Sequence, residues 1–161
     1  MSKLDRYTPY ALAALRIAAA LIFIAHGTQK LFGFPAPPEG GLPAAGSLLW
    51  VGAWIELVGG TLLLGGLFTR AAAFISSGTM AVAYWMFHAP ANFYPVLNGG
   101  DAAILYTFVF LLIVFTGPGA FSLDGLSKRG AADRSARQPP AGTRLPASKR
   151  RAVVYDVLAN P

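Results

Sequence analysis

A chain of 161 residues is long enough for one domain, and with 55% hydrophobic and only 12% charged residues it suits lipid better than water. Its net charge of +6 sits mostly at one end, where Lys128, Arg129, Arg134, Arg137, Arg144, Lys149, Arg150 and Arg151 crowd together. A basic segment directly after an apolar one is the expected cytoplasmic flank of a membrane protein, so no nucleic-acid partner is expected. The absence of cysteine excludes disulfides, thiolate metal sites and an internal thiol relay.

In chain order, residues 2–9 are short and mildly basic, and the apolar run that follows is too long for a cleavable signal, so the first segment is expected to stay in the membrane. Helices are predicted over residues 10–32, 47–68, 71–87 and 102–116. Each is close to the roughly 20 residues that cross about 30 Å of hydrocarbon, the last two at or below the short end. Unpaired backbone groups find no water in lipid, and the alternation of a barrel strand is absent, which leaves helices. The Pro- and Gly-rich residues 33–43 form a loop, Thr69-Arg70 leaves room only for a tight turn, and residues 90–100 form a second loop. Asp101 is placed to cap the fourth helix at its positive end.

Lys3 and Arg6 precede the first helix, Arg70 lies in the middle turn and the basic tail follows the fourth helix, whereas the two longer loops carry no Lys or Arg. Positive charge inside then puts both termini and the turn in the cytoplasm, which four crossings satisfy. The expected fold is all-α: a polytopic four-transmembrane-helix bundle over residues 1–126 with cytoplasmic N- and C-termini. Residues 127–161 have few large apolar groups and are expected to form a disordered basic tail. The apolar patch at 153–158 reads as a frayed end.

Ionisable groups inside the helices are informative, because each costs about 2.5–3.5 kcal/mol at a helix centre. Gly52, Gly59 and Gly66 recur every seven residues on a stripe that should face a neighbouring helix, and Glu56 points the same way. Arg16, His26 and Lys30 share one face of the first helix. Arg16 with Glu56 is the expected buried ion pair, either as a staple between helices or as a working group.

At the outer end His26, Gln29 and Lys30 close the first helix, Tyr84 and His88 close the third, and Asp101 opens the fourth. Together they form a candidate site for a polar headgroup just below the outer surface, within which Lys30 and Asp101 can pair. The same groups, with Trp85, also read as an interfacial belt with a snorkelling lysine. No catalytic residue is identifiable. His26 and His88 fall at one depth, as haem ligands would, but nothing else accompanies them, so neither haem nor a metal site is expected, nor any covalently held cofactor.

Leu15-Arg16 and His26-Gly27-Thr28-Gln29-Lys30-Leu31-Phe32-Gly33, then Glu56-Leu57-Val58-Gly59-Gly60 with Gly65 and Thr69-Arg70, then Asn98-Gly99-Gly100-Asp101-Ala102-Ala103 and Gly117-Pro118-Gly119-Ala120-Phe121-Ser122-Leu123-Asp124, form one combination. It resembles the DoxX family from about Leu12 to Asp124. The resemblance implies a four-helix inner-membrane protein linked to sulfur and thiol redox metabolism or to oxidative stress, with relatives that include a quinone-reducing thiosulfate oxidoreductase subunit. On that footing the chain is expected to be a quinone-interacting subunit of an oxidoreductase system. It has no electron carrier of its own, so a partner or a dissolved substrate is expected to supply electrons, and other membrane or redox subunits, or further copies in a homo-oligomer, are the expected partners in the lipid bilayer. The alternative is a non-enzymatic membrane scaffold or small-molecule carrier, and whether the chain is an enzyme stays open.

Overall fold

The computed structural model describes residues 3–137, and every regular element among them is helical. A single 3-10 turn, Asp5–Tyr7, leads into α1 (Thr8–Phe32). Pro9 lies in the first turn of α1, where a missing N–H leaves no bond unmade. Gly33 ends the helix at φ 67, a left-handed conformation that glycine adopts without a Cβ clash, and its N–H returns to Gln29 O. Helix α2 (Leu48–Gly65) starts at Ser47, whose hydroxyl accepts the Trp50 N–H at 3.2 Å.

The turn between α2 and α3 (Thr69–Ala83) lies at Gly66, Leu67 and Phe68 rather than at Thr69-Arg70, because the left-handed Gly66 stops α2 before the apolar pattern ends. Helix α3 runs on into a π-helical turn, Tyr84–His88, and α4 (Pro95–Asn98) adds one turn inside the second loop. Helix α5 (Asp101–Thr116) has Gly100 at its cap position, so Asp101 stands in the first turn and does not cap.

Helix α1 packs along α2, α3 along α5, α2 against α3, and α1 more lightly against α5. Ala20, Phe23, Leu63, Ala73, Phe110 and Ile113 are fully enclosed between them. Two glycines set the register of α1 on α2. A Cβ on Gly27 would lie 2.7 Å from Leu57 N, and one on Gly60 would lie 2.7 Å from Ile24 Cγ1 and 3.2 Å from Ala20 O. The expected glycine stripe is only partly used: Gly59 and Gly66 meet neighbouring elements, but Gly52 has nothing within 4 Å.

Large apolar side chains face outward on all four long helices: Ile22, Val58, Phe74 and Phe108 are each more than half exposed. A surface of this kind is suited to hydrocarbon. Two helical stretches, Asp5–Phe32 and Leu48–Gly65, are long and apolar enough to cross a membrane, and α5 is a shorter apolar helix.

The chain divides into two units, Met1–Leu126 and Ser127–Pro161. Helix α6 (Leu123–Arg137) carries regular structure into the segment expected to be disordered from residue 127. Ala, Lys and Arg are strong helix formers, and the absence of large apolar groups does not prevent a solvated helix. Residues 138–161, including the patch at 153–158, lie outside the described residues.

Candidate functional site

The α1–α2 register decides the fate of the buried charges. Gly27 stands level with Ala53 and Leu57, and Gly60 level with Ala20 and Ile24. The same antiparallel offset puts Arg16 opposite Gly66, ten residues along α2 from Glu56, or about 15 Å at roughly 1.5 Å per residue. The expected Arg16–Glu56 pair is therefore not made.

Arg16 instead uses all five of its N–H donors on backbone carbonyls. Nη1 donates to Leu63 O and Leu64 O at the end of α2, Nε to Pro118 O at 2.8 Å, and Nη2 to Ala120 O and Phe121 O at 3.3 and 2.9 Å. The last carbonyls of a helix have no partner within it, and neither do those of an irregular loop, so one planar guanidinium satisfies both. A Cβ on Gly66 would lie 2.6 Å from Ser122 Cβ and 3.2 Å from Arg16 Nη1, which shows how closely the loop is drawn in.

Asp124 completes this end. Its Oδ1 accepts the Phe68 N–H at 3.0 Å, and its Oδ2 accepts from Thr69 N at 2.9 Å and Thr69 Oγ1 at 2.7 Å. Phe68, at φ 47, offers α3 no side-chain cap, so a carboxylate 55 residues away in sequence caps the helix at its positive end. Arg70 returns the favour to α5 by donating to Val114 O at 2.7 Å. The sequence contained a signal for these roles in Gly66, Gly117, Gly119 and Asp124, but not their pairing.

Glu56 pairs instead with Lys30, Nζ to Oε1 at 2.5 Å. Lys30 stands about one turn outward of Glu56 in the α1–α2 register, within reach of its four-carbon stem. It does not pair with Asp101. Glu56 is 2% exposed, and its Oε2 is a buried acceptor without a hydrogen-bond partner. Ser76 Oγ, on the facing side of α3, is likewise buried and unpartnered. Lys30 and Glu56 line a groove of about 360 Å³ between α2 and α3 whose other walls include Leu48, Val51, Ile55, Phe74, Ile75 and Phe87. The arrangement is a polar pair at one place in an otherwise apolar cleft that opens sideways.

The remaining residues of the expected outer site are not gathered around it. His26 packs edge-on against Tyr106, with ring centroids 6.3 Å apart, and lines a different groove of about 390 Å³ between α1 and α5. Tyr106 in turn meets Phe23 and stacks on Phe110, an aromatic group that sequence reasoning missed. His88 Nδ1 donates to Asn98 O at 3.0 Å, since a carbonyl can only accept. Tyr84 lies against Trp85 and beneath Gly100, where a Cβ would come within 2.7 Å of its ring. Gln29 is half-buried near the end of α1, and Asp101 is exposed at the start of α5. Among the described residues no hydrogen bond or ring contact joins His26 to His88, and no group of three or more His, Cys, Asp or Glu suited to a metal ion occurs.

The family model named DoxX matches residues 11–89. An uncharacterized protein of Haemophilus influenzae is 49% identical over 128 residues, covering 77% of this chain and 96% of that protein. Inner membrane protein YqjF of Escherichia coli is 30% identical over 115 residues, covering 69% of this chain and 87% of the relative. No solved structure matches the chain significantly.

Proposed function

This chain is a membrane protein that belongs to the DoxX family, and we propose that it is a four-crossing protein of the inner membrane that binds quinone as a subunit of an oxidoreductase system linked to sulfur, thiol or oxidative-stress chemistry. Support for an even number of crossings comes from one end of the helical unit. Ala120 N donates to Pro9 O, and Asp124 holds the start of α3, so the beginning of α1, the α2–α3 turn and the exit from α5 share a side. Those are the places where Lys3, Arg6, Arg70 and the basic tail lie, the charge distribution of a cytoplasmic face.

The observation that carries the quinone reading is the Lys30–Glu56 pair in the wall of the apolar α2–α3 groove. A ring with a polyprenyl tail needs an apolar slot reached from lipid and a few polar groups for its oxygens, and about 360 Å³ accommodates such a ring. The electron donor is a partner or a dissolved substrate, since the sequence has no cysteine to serve as a redox centre. The test is a titration of the protein in lipid nanodiscs with a decyl-tailed benzoquinone. Saturable binding is expected, weakened about tenfold or more in Lys30→Ala, the loss of one charge-assisted hydrogen bond, and unchanged in His26→Ala, which lines the other groove. Binding that ignores Lys30→Ala rules out this site.

A further inference from the structure

Resting on the reading of the α2–α3 groove as a quinone site, we infer that the groove holds the reduced, hydroxyl-bearing form of the ring in preference to the oxidised form. Glu56 gives Oε1 to the Lys30 ammonium and keeps Oε2, an acceptor that no described group approaches within hydrogen-bonding distance. A buried acceptor left without a donor is a penalty of the empty fold, and a ligand that brings an O–H relieves it. An oxidised quinone has two carbonyl oxygens and no donor, so it has nothing to offer Oε2, and its lone pairs would face the carboxylate.

A hydroquinone or any alkylated phenol carries the missing proton. Its ring matches the walls made by Ile55, Phe74, Ile75 and Phe87. Ser76 Oγ, the second buried polar atom without a partner, lies on the same α2–α3 boundary, 2.7 Å from where a Cβ on Gly59 would be. Both unsatisfied atoms thus belong to the two helices that form the groove, and Arg16, at the opposite end of α2, leaves none of its donors unused. Tighter binding of the reduced ring shifts the bound couple toward reduction, as any ligand preference shifts a two-state equilibrium.

The experiment uses the full chain in nanodiscs and a pair of probes, 4-decylphenol and its methyl ether, in which a methyl group replaces the hydroxyl proton. The phenol is expected to bind at least about tenfold more tightly, the discrimination of one hydrogen bond to a charged acceptor. In Glu56→Gln the difference should shrink to about threefold or less, because a neutral amide is the weaker acceptor. Equal binding of phenol and ether by the unaltered protein overturns the preference while leaving a ring site intact. Failure of both probes and of the benzoquinone to bind overturns the site itself, and the comparison in the unaltered protein stands even where Glu56→Gln does not fold.

Discussion

Arg16 and Lys30 sit on one face of the same helix, and the structure treats them in opposite ways. Arg16 is fully buried and hydrogen-bonded at every donor to carbonyls of α2 and of the loop beyond α5. Lys30 is 28% exposed on its side chain and holds one oxygen of Glu56, leaving the other without a partner. A closed polar network fixes its surroundings, whereas a network with one member unsatisfied is a place where a further group gains free energy by arriving. The contrast separates a residue whose donors are all satisfied from a pair that keeps one acceptor unsatisfied.

The largest expected effect falls on the closed end. Arg16→Ala strips five carbonyls of their donors and should lower the unfolding free energy by at least about 3 kcal/mol, each buried acceptor left unmade costing roughly 1–3 kcal/mol. Thermal unfolding in mild detergent reads this, and Arg16→Lys should recover only part, because an ammonium has three donors and no planar fork. If Arg16→Ala melted like the unaltered protein, the distinction between the two ends would collapse.

A smaller loss is expected from Asp124→Ala, which uncaps α3: about 1–2 kcal/mol in the same measurement, typical of a lost helix cap. Asp124→Asn keeps an acceptor and should lose less, with what it still loses relative to the unaltered protein reporting the charge at the helix start. The smallest effect belongs to the open side. Gly52→Ala adds a methyl where nothing lies within 4 Å and should stabilise α2 by up to about 1 kcal/mol through helix propensity. A marked destabilisation there would mean that the groove is packed more tightly than its walls indicate.

The sequence by itself determined that this chain is helical and apolar, roughly where α1, α2, α3 and α5 run, and that Glu56 has to find a cation. Those features follow from local composition: runs of apolar residues broken by Gly33 and the Pro-rich loop admit few other arrangements, and a carboxylate in lipid needs a partner, whereas the stop at Gly66 inside an apolar run was not legible. It grouped Lys30 with His26, Tyr84, His88 and Asp101, whereas the structure sets Lys30 against Glu56 and apart from them. Only the tertiary structure decided which cation Glu56 takes, because that depends on the sliding register of α1 on α2. Close approaches at Gly27 and Gly60 set that register, and it moves Arg16 a full ten residues away from Glu56. The cap on α3 was hidden for a related reason: Asp124 acts on Thr69 across the fold, and no local pattern records a bond between residues so far apart in the chain.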